Sequence, residues 1–424
     1  MVWQFIDVFK RVAGRGIEDD DFADRLTHRY TVAILIIFCI LVGSSQFVGS
    51  PIACWVPAHF SGSMTTYTNN ICWISNTYYV PTEGFLPKPN EERLFRINYY
   101  QWVPFILTLM AFLCYTPFAI WRVMSKHNDI QAKSIMKIIS SIDQGNSEAR
   151  EKSIRTVCKI IDRSIEINRD WNDVSVFGRI RRGVGRCFLS KSNGSYITAL
   201  YFIIKLLNIA SVFGQFFLLN CFMGSRYHLF GFNVIQDLKD GKDFWESERF
   251  PRITMCDFTI RTLGENNQKN TIQCTLPINL FNEKVFIFIW FWYFLVTALS
   301  CYSIVIWIIN MCPRSRQQFV RRYLRNSDRL PYNHTSSGNI TDSKMFESFI
   351  INYLRLDGLF LLRIVKKNSN DLIVGELISA LWEQYKRHPK INHSNDDSIH
   401  KDNEKLLMND GGESLLPNGY HHNP

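Results

Sequence analysis

Four long apolar segments constrain this chain more than any other feature of its sequence. They are Thr31–Gly49, Val103–Trp121, Tyr196–Met223 and Val285–Ile309. Each holds about 19 residues or more with few charges, enough for a helix to cross a hydrocarbon core of about 30 Å. Helices in water-soluble proteins are usually shorter. The segments therefore predict an all-α membrane protein with four transmembrane helices. The mean hydropathy of the whole chain is only -0.07, because the polar segments between them offset the apolar ones.

The distribution of Lys and Arg predicts the orientation of these spans. The segments 1–29, 122–195 and 310–424 carry five, fifteen and sixteen of them, whereas the loop 50–102 carries three. Cytoplasmic loops are the ones enriched in Lys and Arg. Both termini are therefore expected inside the cell, and the net charge of +10 requires no nucleic-acid partner.

This orientation divides the chain into alternating cytoplasmic, spanning and extracellular parts. In order they are a cytoplasmic N-terminal segment (1–30), a first span (31–49), a first outer loop (50–102), a second span (103–121), a cytoplasmic helical loop (122–195), a third span (196–223), a second outer loop (224–284), a fourth span (285–309), a cytoplasmic C-terminal helical domain (310–387) and a disordered tail (388–424).

Each outer loop contains one pair of cysteines, and the two pairs have the same spacing. Cys54 and Cys72 lie in the first outer loop, and Cys256 and Cys274 lie in the second. Disulfides persist on the oxidising side of a membrane. We therefore expect all four to form disulfides that stiffen a small extracellular cap.

The cytoplasmic parts contain apolar residues at helical spacing, for example Ile135, Ile138 and Ile139, and later Leu377 and Leu381. Recurrence at i, i+3, i+4 and i+7 is typical of an amphipathic helix. These stripes predict the core of a small cytoplasmic helical domain.

The sequence contains no catalytic motif. A Walker loop, Gly-x-Ser-x-Gly, His-Glu-x-x-His, an EF-hand loop and Cys-x-x-Cys are all missing from the chain. The paired glycines at Gly14 and Gly183 lack the third glycine of a nucleotide-binding loop. We therefore predict that the chain is not an enzyme and has no cofactor and no metal site.

Several stretches resemble the innexins, the invertebrate gap-junction proteins. Tyr99-Tyr100-Gln101-Trp102-Val103 matches the family signature at the start of the second span. The resemblance extends over about residues 1–387. It also includes the surroundings of both cysteine pairs, Pro51–Pro57, Cys72–Pro81, Phe250–Phe258 and Cys274–Lys284, and the C-terminal stretch Leu356–Arg363.

The resemblance implies a large-pore channel that passes ions and small metabolites between coupled cells. It implies a ring of eight subunits in the plasma membrane, each ring docking with one on the adjacent cell. Since one four-helix subunit cannot enclose a wide pore, a cyclic ring is the usual solution. The expected partners are further copies of this chain, other innexins and membrane lipid.

The pore-lining candidates lie at the N-terminus and in the first span. Val2, Trp3, Gln4 and Phe5 belong to a short amphipathic stretch that either folds into a pore mouth or anchors at the membrane surface. Polar residues in the outer half of the first span either face water or make contacts between helices. These polar candidates are Ser44, Ser45 and Gln46.

Two polar or aromatic groups leave alternatives open. The aromatic residues Tyr99, Tyr100 and Trp102 either anchor at the membrane interface or brace the outer loops against the second span. Lys205, in the third span beside Asn208, either faces protein or water or extends its charge to the interface.

The pairing of the four cysteines also has two solutions. Cys54 and Cys274 each lie close to a span, whereas Cys72 and Cys256 lie farther away, which suggests Cys54–Cys274 and Cys72–Cys256 bridges between the loops. The innexin resemblance points the same way. The equal spacing equally permits Cys54–Cys72 and Cys256–Cys274.

Two other functions are compatible with a four-span chain. One is an undocked, pannexin-like hemichannel that releases small molecules; extracellular glycans would favour it, and neither outer loop has an acceptor sequon. The other is a multi-pass receptor that conducts nothing.

Overall fold

The computed structural model describes residues 20–81, 85–87, 93, 95–126, 132–140, 147–170, 195–223, 229–241, 249–261, 267–327, 329 and 339–387. The chain forms two compact units, the first from residues 1–128 and 199–308 and the second from residues 129–198 and 309–424.

The described residues are mostly helical. In chain order the elements are α1 (Phe22–Phe47), β1 (Ala53–Cys54), α2 (Gly62–Ile74), β2 (Thr77–Tyr78), β3 (Arg96–Ile97), α3 (Tyr99–Ser125), α4 (Ala132–Ser140), α5 (Ser147–Asp170), α6 (Tyr196–Met223), α7 (Phe230–Lys239), β4 (Ile253–Ile260), β5 (Gln268–Thr275), α8 (Pro277–Met311), α9 (Pro313–Asn326), α10 (Asn339–Ser348), α11 (Arg355–Asn368) and α12 (Asp371–Arg387).

Four of these helices, α1, α3, α6 and α8, are long and apolar enough to cross a membrane. This confirms the predicted four-span architecture. The helix α6 runs from Tyr196 to Met223, as its apolar run does, but the other three helices begin earlier than their apolar runs, and α3 begins at Tyr99 rather than at Val103. The helix α1 begins at Phe22 rather than near Thr31, and Asp21 accepts a hydrogen bond from the Phe22 N–H at its start. The helix α8 begins at Pro277 rather than near Val285, with proline in the first turn, where its missing N–H costs nothing.

The outer loops together form a five-stranded antiparallel sheet, which the sequence analysis did not predict. The strand order is β1-β5-β4-β2-β3, so strands of the first loop flank a hairpin of the second on both sides. The hairpin β4–β5 is paired from Ile253↔Thr275 to Ile260↔Gln268. The sheet therefore connects the two loops through backbone hydrogen bonds as well as through side chains.

The core of the first unit continues from the spanning helices into the outer loops. Leu107 of α3, Val212 of α6 and Phe286 of α8 are fully buried, as are Tyr100 and Leu276 next to the loops. For residues next to the loops, where the alternative is exposure to water, such burial stabilises a fold by about 1.5–3 kcal/mol each; between spanning helices, close packing of side chains has this role. The spanning helices thus support the sheet directly.

The second unit is helical, and the stripes predicted from the sequence are its core. Of the stripe residues named above, Ile135, Ile139, Leu377 and Leu381 are buried and Ile138 is half-buried. Further residues at helical spacing on these helices are also buried: Ile154, Val157, Ile161, Ile378, Trp382 and Tyr385. The stripes therefore lie in packed helices, and the cytoplasmic location and the bounds of the domain stay predictions.

Candidate functional site: the braced outer loops and the spanning helices

Two disulfides join the outer loops to each other. Cys54 of β1 is bonded to Cys274 of β5, and Cys72 of α2 is bonded to Cys256 of β4. The bonded residues are separated by 220 and 184 positions in the sequence. The structure therefore contains the pairing between loops and not the pairing within each loop.

The sulfur atoms of Cys54, Cys72 and Cys274 lie within 4.8 Å of one another and are the grouping of possible metal ligands found among the described residues. A cysteine binds a metal as its thiolate. Because all three sulfurs are already bonded in disulfides, this grouping is explained by the two bridges and does not constitute a metal centre.

A polar cluster around Asp257 forms a further connection between the loops. Arg93 of the first loop contacts the Asp257 carboxylate with Nε and NH2, both at 2.7 Å. The hydroxyls of Tyr78 and Thr271 donate to the other carboxylate oxygen at 2.9 and 2.8 Å. Burial, together with the hydrogen bond to Asp257, raises the pKa of Tyr78 to about 12. Charge-assisted bonds of this kind are stronger than neutral ones.

The aromatic signature at the start of α3 braces the loops. The Tyr99 hydroxyl donates to the Arg249 carbonyl at 2.8 Å, and its ring packs against Phe250 with centroids 5.8 Å apart. The Tyr100 hydroxyl donates to the Trp73 carbonyl at 3.4 Å, and Tyr100 is fully buried. These two tyrosines therefore hold both outer loops, which is the bracing alternative from the sequence analysis.

Of the remaining signature residues, Gln101 also braces an outer loop, Val103 is buried, and Trp102 lies at the surface. The Gln101 side chain donates to the Trp73 carbonyl and so also holds the first loop. Val103 is fully buried. Trp102 is 58% exposed, which fits an interfacial anchor.

The structure separates the three polar candidates of the first span. Ser44 is exposed, and its hydroxyl donates to the Leu41 carbonyl at 2.9 Å. Ser45 is half-buried. Gln46 is buried, and its Nε2 donates to the Tyr100 carbonyl at 2.7 Å. The Gln46 amide thus makes a contact between helices inside the subunit, which is the other alternative for these polar residues, and the pore-lining role of the three residues stays a prediction. Val2, Trp3, Gln4 and Phe5 lie outside the described residues.

Lys205 faces protein in the third span. It is 2% exposed, and its Nζ lies 3.3 Å from the Asp21 carboxylate and 3.0 Å from that of Asp24. The Lys205 ammonium also donates to Ser303 Oγ at 2.7 Å. A buried charge is tolerated when it is paired and hydrogen-bonded, and this ion pair connects α6 and α8 to the start of α1.

Hydrogen bonds satisfy the two aspartates further. The hydroxyl of Tyr201 and the Nδ2 of Asn208 donate to Asp24 at 2.9 and 3.1 Å. Asp21 accepts from Ser303 Oγ at 2.6 Å and from Trp307 Nε1 at 3.2 Å. We call Asp21, Asp24, Lys205 and these four donors the buried ion-pair cluster.

Sequence reasoning missed Asp21, Asp24, Arg93 and Asp257. The signal for the first two was present, since a buried Lys205 requires carboxylates and the acidic run before the first span supplies them. No pattern singled out Arg93 or Asp257, because their contact joins residues 164 positions apart.

The C-terminal signature stretch positions two charged residues inside the second unit. The Asp357 carboxylate accepts hydrogen bonds from the N–H groups of Ile197 and Thr198, at 3.3 and 2.9 Å, at the start of α6. Burial raises the pKa of Asp357, and the bonds from Thr198 oppose that rise. Arg363 donates to Asn310 Oδ1 at 2.6 Å, and burial lowers its pKa to about 10. Asp357 thus holds the start of α6, and Arg363 holds the end of α8.

Comparison with known proteins gives a consistent result. The family model described as Innexin matches residues 20–385. Innexin unc-9 of Caenorhabditis elegans is 38% identical over 369 residues, which cover 87% of this chain and 92% of the relative. Innexin-11 of the same organism is 34% identical over 391 residues, which cover 91% and 82%. Innexin-3, also from that organism, is 34% identical over 369 residues, which cover 86% and 84%.

Proposed function

Because the chain belongs to the innexin family, we propose that it is the subunit of a gap-junction channel. Its subunits assemble into a ring in the plasma membrane, and the ring docks with a ring on the adjacent cell. The joined rings pass ions and small metabolites between the cells. The family resemblance supports eight subunits in each ring.

The observation that carries this proposal is the construction of the outer loops as one braced body. Two disulfides, the Asp257 cluster and the antiparallel sheet that both loops build hold the loops together. Association is weakened by the cost of ordering flexible loops at an interface. A cap that is already ordered in each subunit therefore suits docking between two cells.

The pore belongs to the ring and not to one subunit. Ser44, Ser45 and Gln46 on α1 remain pore-lining candidates, as does the N-terminal stretch Val2–Phe9 with Val2, Trp3, Gln4 and Phe5. Ser44 is exposed in the single subunit, which leaves its hydroxyl open to a water-filled lumen.

Paired-cell recording tests the function. Junctional conductance is expected when both cells express the chain, and is expected to fall to background when only one does and the other has no channel of its own. Transfer of a small anionic dye between the two cells, together with the conductance, would indicate a large pore. Dye uptake by single cells with no coupling in pairs would identify an undocked hemichannel, and absence of both would favour a receptor. Single-particle imaging would count the subunits of each ring.

The orientation is proposed from the Lys and Arg distribution, with both termini cytoplasmic. An epitope tag inserted near Gly145 is expected to bind antibody only after the cells are permeabilised, because the segment 122–195 carries fifteen basic residues. A tag inserted after Asp240, in the second outer loop, serves as the matched control and should be labelled on intact cells. Labelling of the Gly145 tag on intact cells would contradict the orientation.

A further inference from the structure

A short helix of the second outer loop, α7, lies against the fourth spanning helix. The ring of Phe232 is 5.2 Å from the ring of Trp290, centroid to centroid, and 6.5 Å from that of Phe294. Gly231 is buried, and a Cβ at this position would overlap the Trp290 ring. Glycine therefore permits a close approach of the α7 backbone to α8 that any larger residue would prevent.

The helix α7 is amphipathic, and the protein covers only part of its apolar side. At 3.6 residues per turn, the polar residues Asn233, Gln236 and Asp237 share one side of it. The opposite side presents three large apolar side chains in a row. Phe232, Ile235 and Leu238 are 54%, 49% and 68% exposed. Phe230 and Val234 pack into the core and hold the helix in place.

The contact with Trp290 sets the depth of α7. On α8 the last charged residue before the apolar run is Lys284, whose side chain is 58% exposed, and the run begins at Val285. Trp290 is five residues further along, which is about 7–8 Å at 1.5 Å per residue. Interfacial helices lie with their apolar side about 5–10 Å into the boundary between headgroups and acyl chains. The helix α7 is thus at the depth of that boundary.

The exposed stripe of α7 continues onto the exposed surface of the fourth span. Phe294, which contacts Phe232, is itself 53% exposed, and Phe291 is 39% exposed. Contiguous apolar surface of this kind marks a contact with another apolar phase. We propose that Phe232, Ile235 and Leu238 contact the acyl chains of membrane lipid, so that α7 anchors the second outer loop in the bilayer.

The polar side of α7 then faces water, and Lys239, the last residue of the helix, lies on the apolar side and can extend its charge to the headgroups. The assignment of α7 to the outer leaflet depends on the orientation proposed above. The contact of its apolar side chains with acyl chains does not depend on that orientation.

Photo-crosslinking in the full-length protein tests this contact. The photoreactive residue p-benzoylphenylalanine is introduced at Leu238, at Gln236 on the polar side, and at Phe294 on the span, one position at a time. Each variant is reconstituted in phosphatidylcholine nanodiscs with radiolabelled acyl chains, and size-exclusion chromatography checks that it assembles as the unmodified protein does. Illumination at Leu238 is expected to give at least fivefold more lipid adduct than at Gln236, and a yield comparable with that at Phe294.

Two results would overturn the proposal. A covalent dimer of the chain formed from position 238, without lipid adduct, would assign the stripe to a neighbouring subunit. Equal lipid yields at 238 and 236, both far below that at 294, would place the stripe in water. A defect in coupling or docking leaves this readout unchanged, since it requires only the folded protein in a bilayer.

Discussion

Replacing Cys274 by serine is expected to abolish coupling between paired cells. The Cys54–Cys274 disulfide joins residues 220 positions apart. Because the Cys72–Cys256 bridge remains in this variant, the loop that the lost bond closed consists of the stretches 54–72 and 256–274, about 40 residues, and in the chain-entropy model cross-linking such a loop contributes on the order of 4 kcal/mol. That is a large share of the roughly 5–15 kcal/mol by which native proteins are stable. The loss also removes the covalent link between β1 and β5, at the edge of the sheet that the two loops share.

The matched control for this variant is Cys301→Ser, which replaces an exposed cysteine of α8 that forms no disulfide. It should couple as the unmodified chain does. Surface biotinylation separates loss of docking from loss of delivery to the membrane. Normal coupling by Cys274→Ser would contradict the expected role of the bridge, and non-reducing peptide mapping that recovered Cys54 linked to Cys72 would contradict the pairing itself.

The four spans could be predicted from the sequence because twenty apolar residues in succession have few other structural solutions. Their beginnings could not. The first apolar run is preceded by the charged residues Asp24, Arg25 and Arg29, yet α1 includes them. Asp24 is tolerated inside the helix because it is paired with Lys205 of α6. Which charges inside a helix are tolerated depends on partners supplied by other helices.

The sheet was missed for a related reason. The strand β4 alternates partly buried and buried residues, as half-buried strands do, but its partner β5 contains Gln268, Lys269, Asn270 and Gln273 and lacks an apolar pattern. Its pairing is stabilised by the neighbouring strands and the disulfides. Contacts between distant segments, such as Arg93 with Asp257, have no local signal in a single sequence.

In the first span, the sequence does not predict which way each polar side chain points. Ser44, Ser45 and Gln46 are adjacent and polar, and the sequence treats them alike. Successive residues of a helix point in directions about 100° apart, so packing decides which of them faces the protein. Gln46 faces the Tyr100 carbonyl and Ser44 does not.

Replacing Lys205 by methionine is expected to destabilise the assembled ring strongly. The substitution removes the cation within 3.3 Å of Asp21 and 3.0 Å of Asp24 and leaves both carboxylates in a buried site. Removing one partner of a buried ion pair costs about 3–5 kcal/mol. The midpoint temperature at which heated protein loses its ring peak in size-exclusion chromatography should therefore fall well below that of the unmodified chain.

A second substitution distinguishes charge from packing. In the double variant Lys205→Met with Asp24→Asn, one carboxylate is removed together with the cation. Its midpoint temperature should therefore lie between that of Lys205→Met and that of the unmodified chain. Lys152→Met is the control, because Lys152 is exposed on α5 and its loss should change stability by less than about 0.5 kcal/mol. A Lys205→Met midpoint equal to that of the control would contradict the stabilising role of the cluster. A double variant no more stable than Lys205→Met would show that lost packing, and not the uncompensated carboxylates, causes the defect.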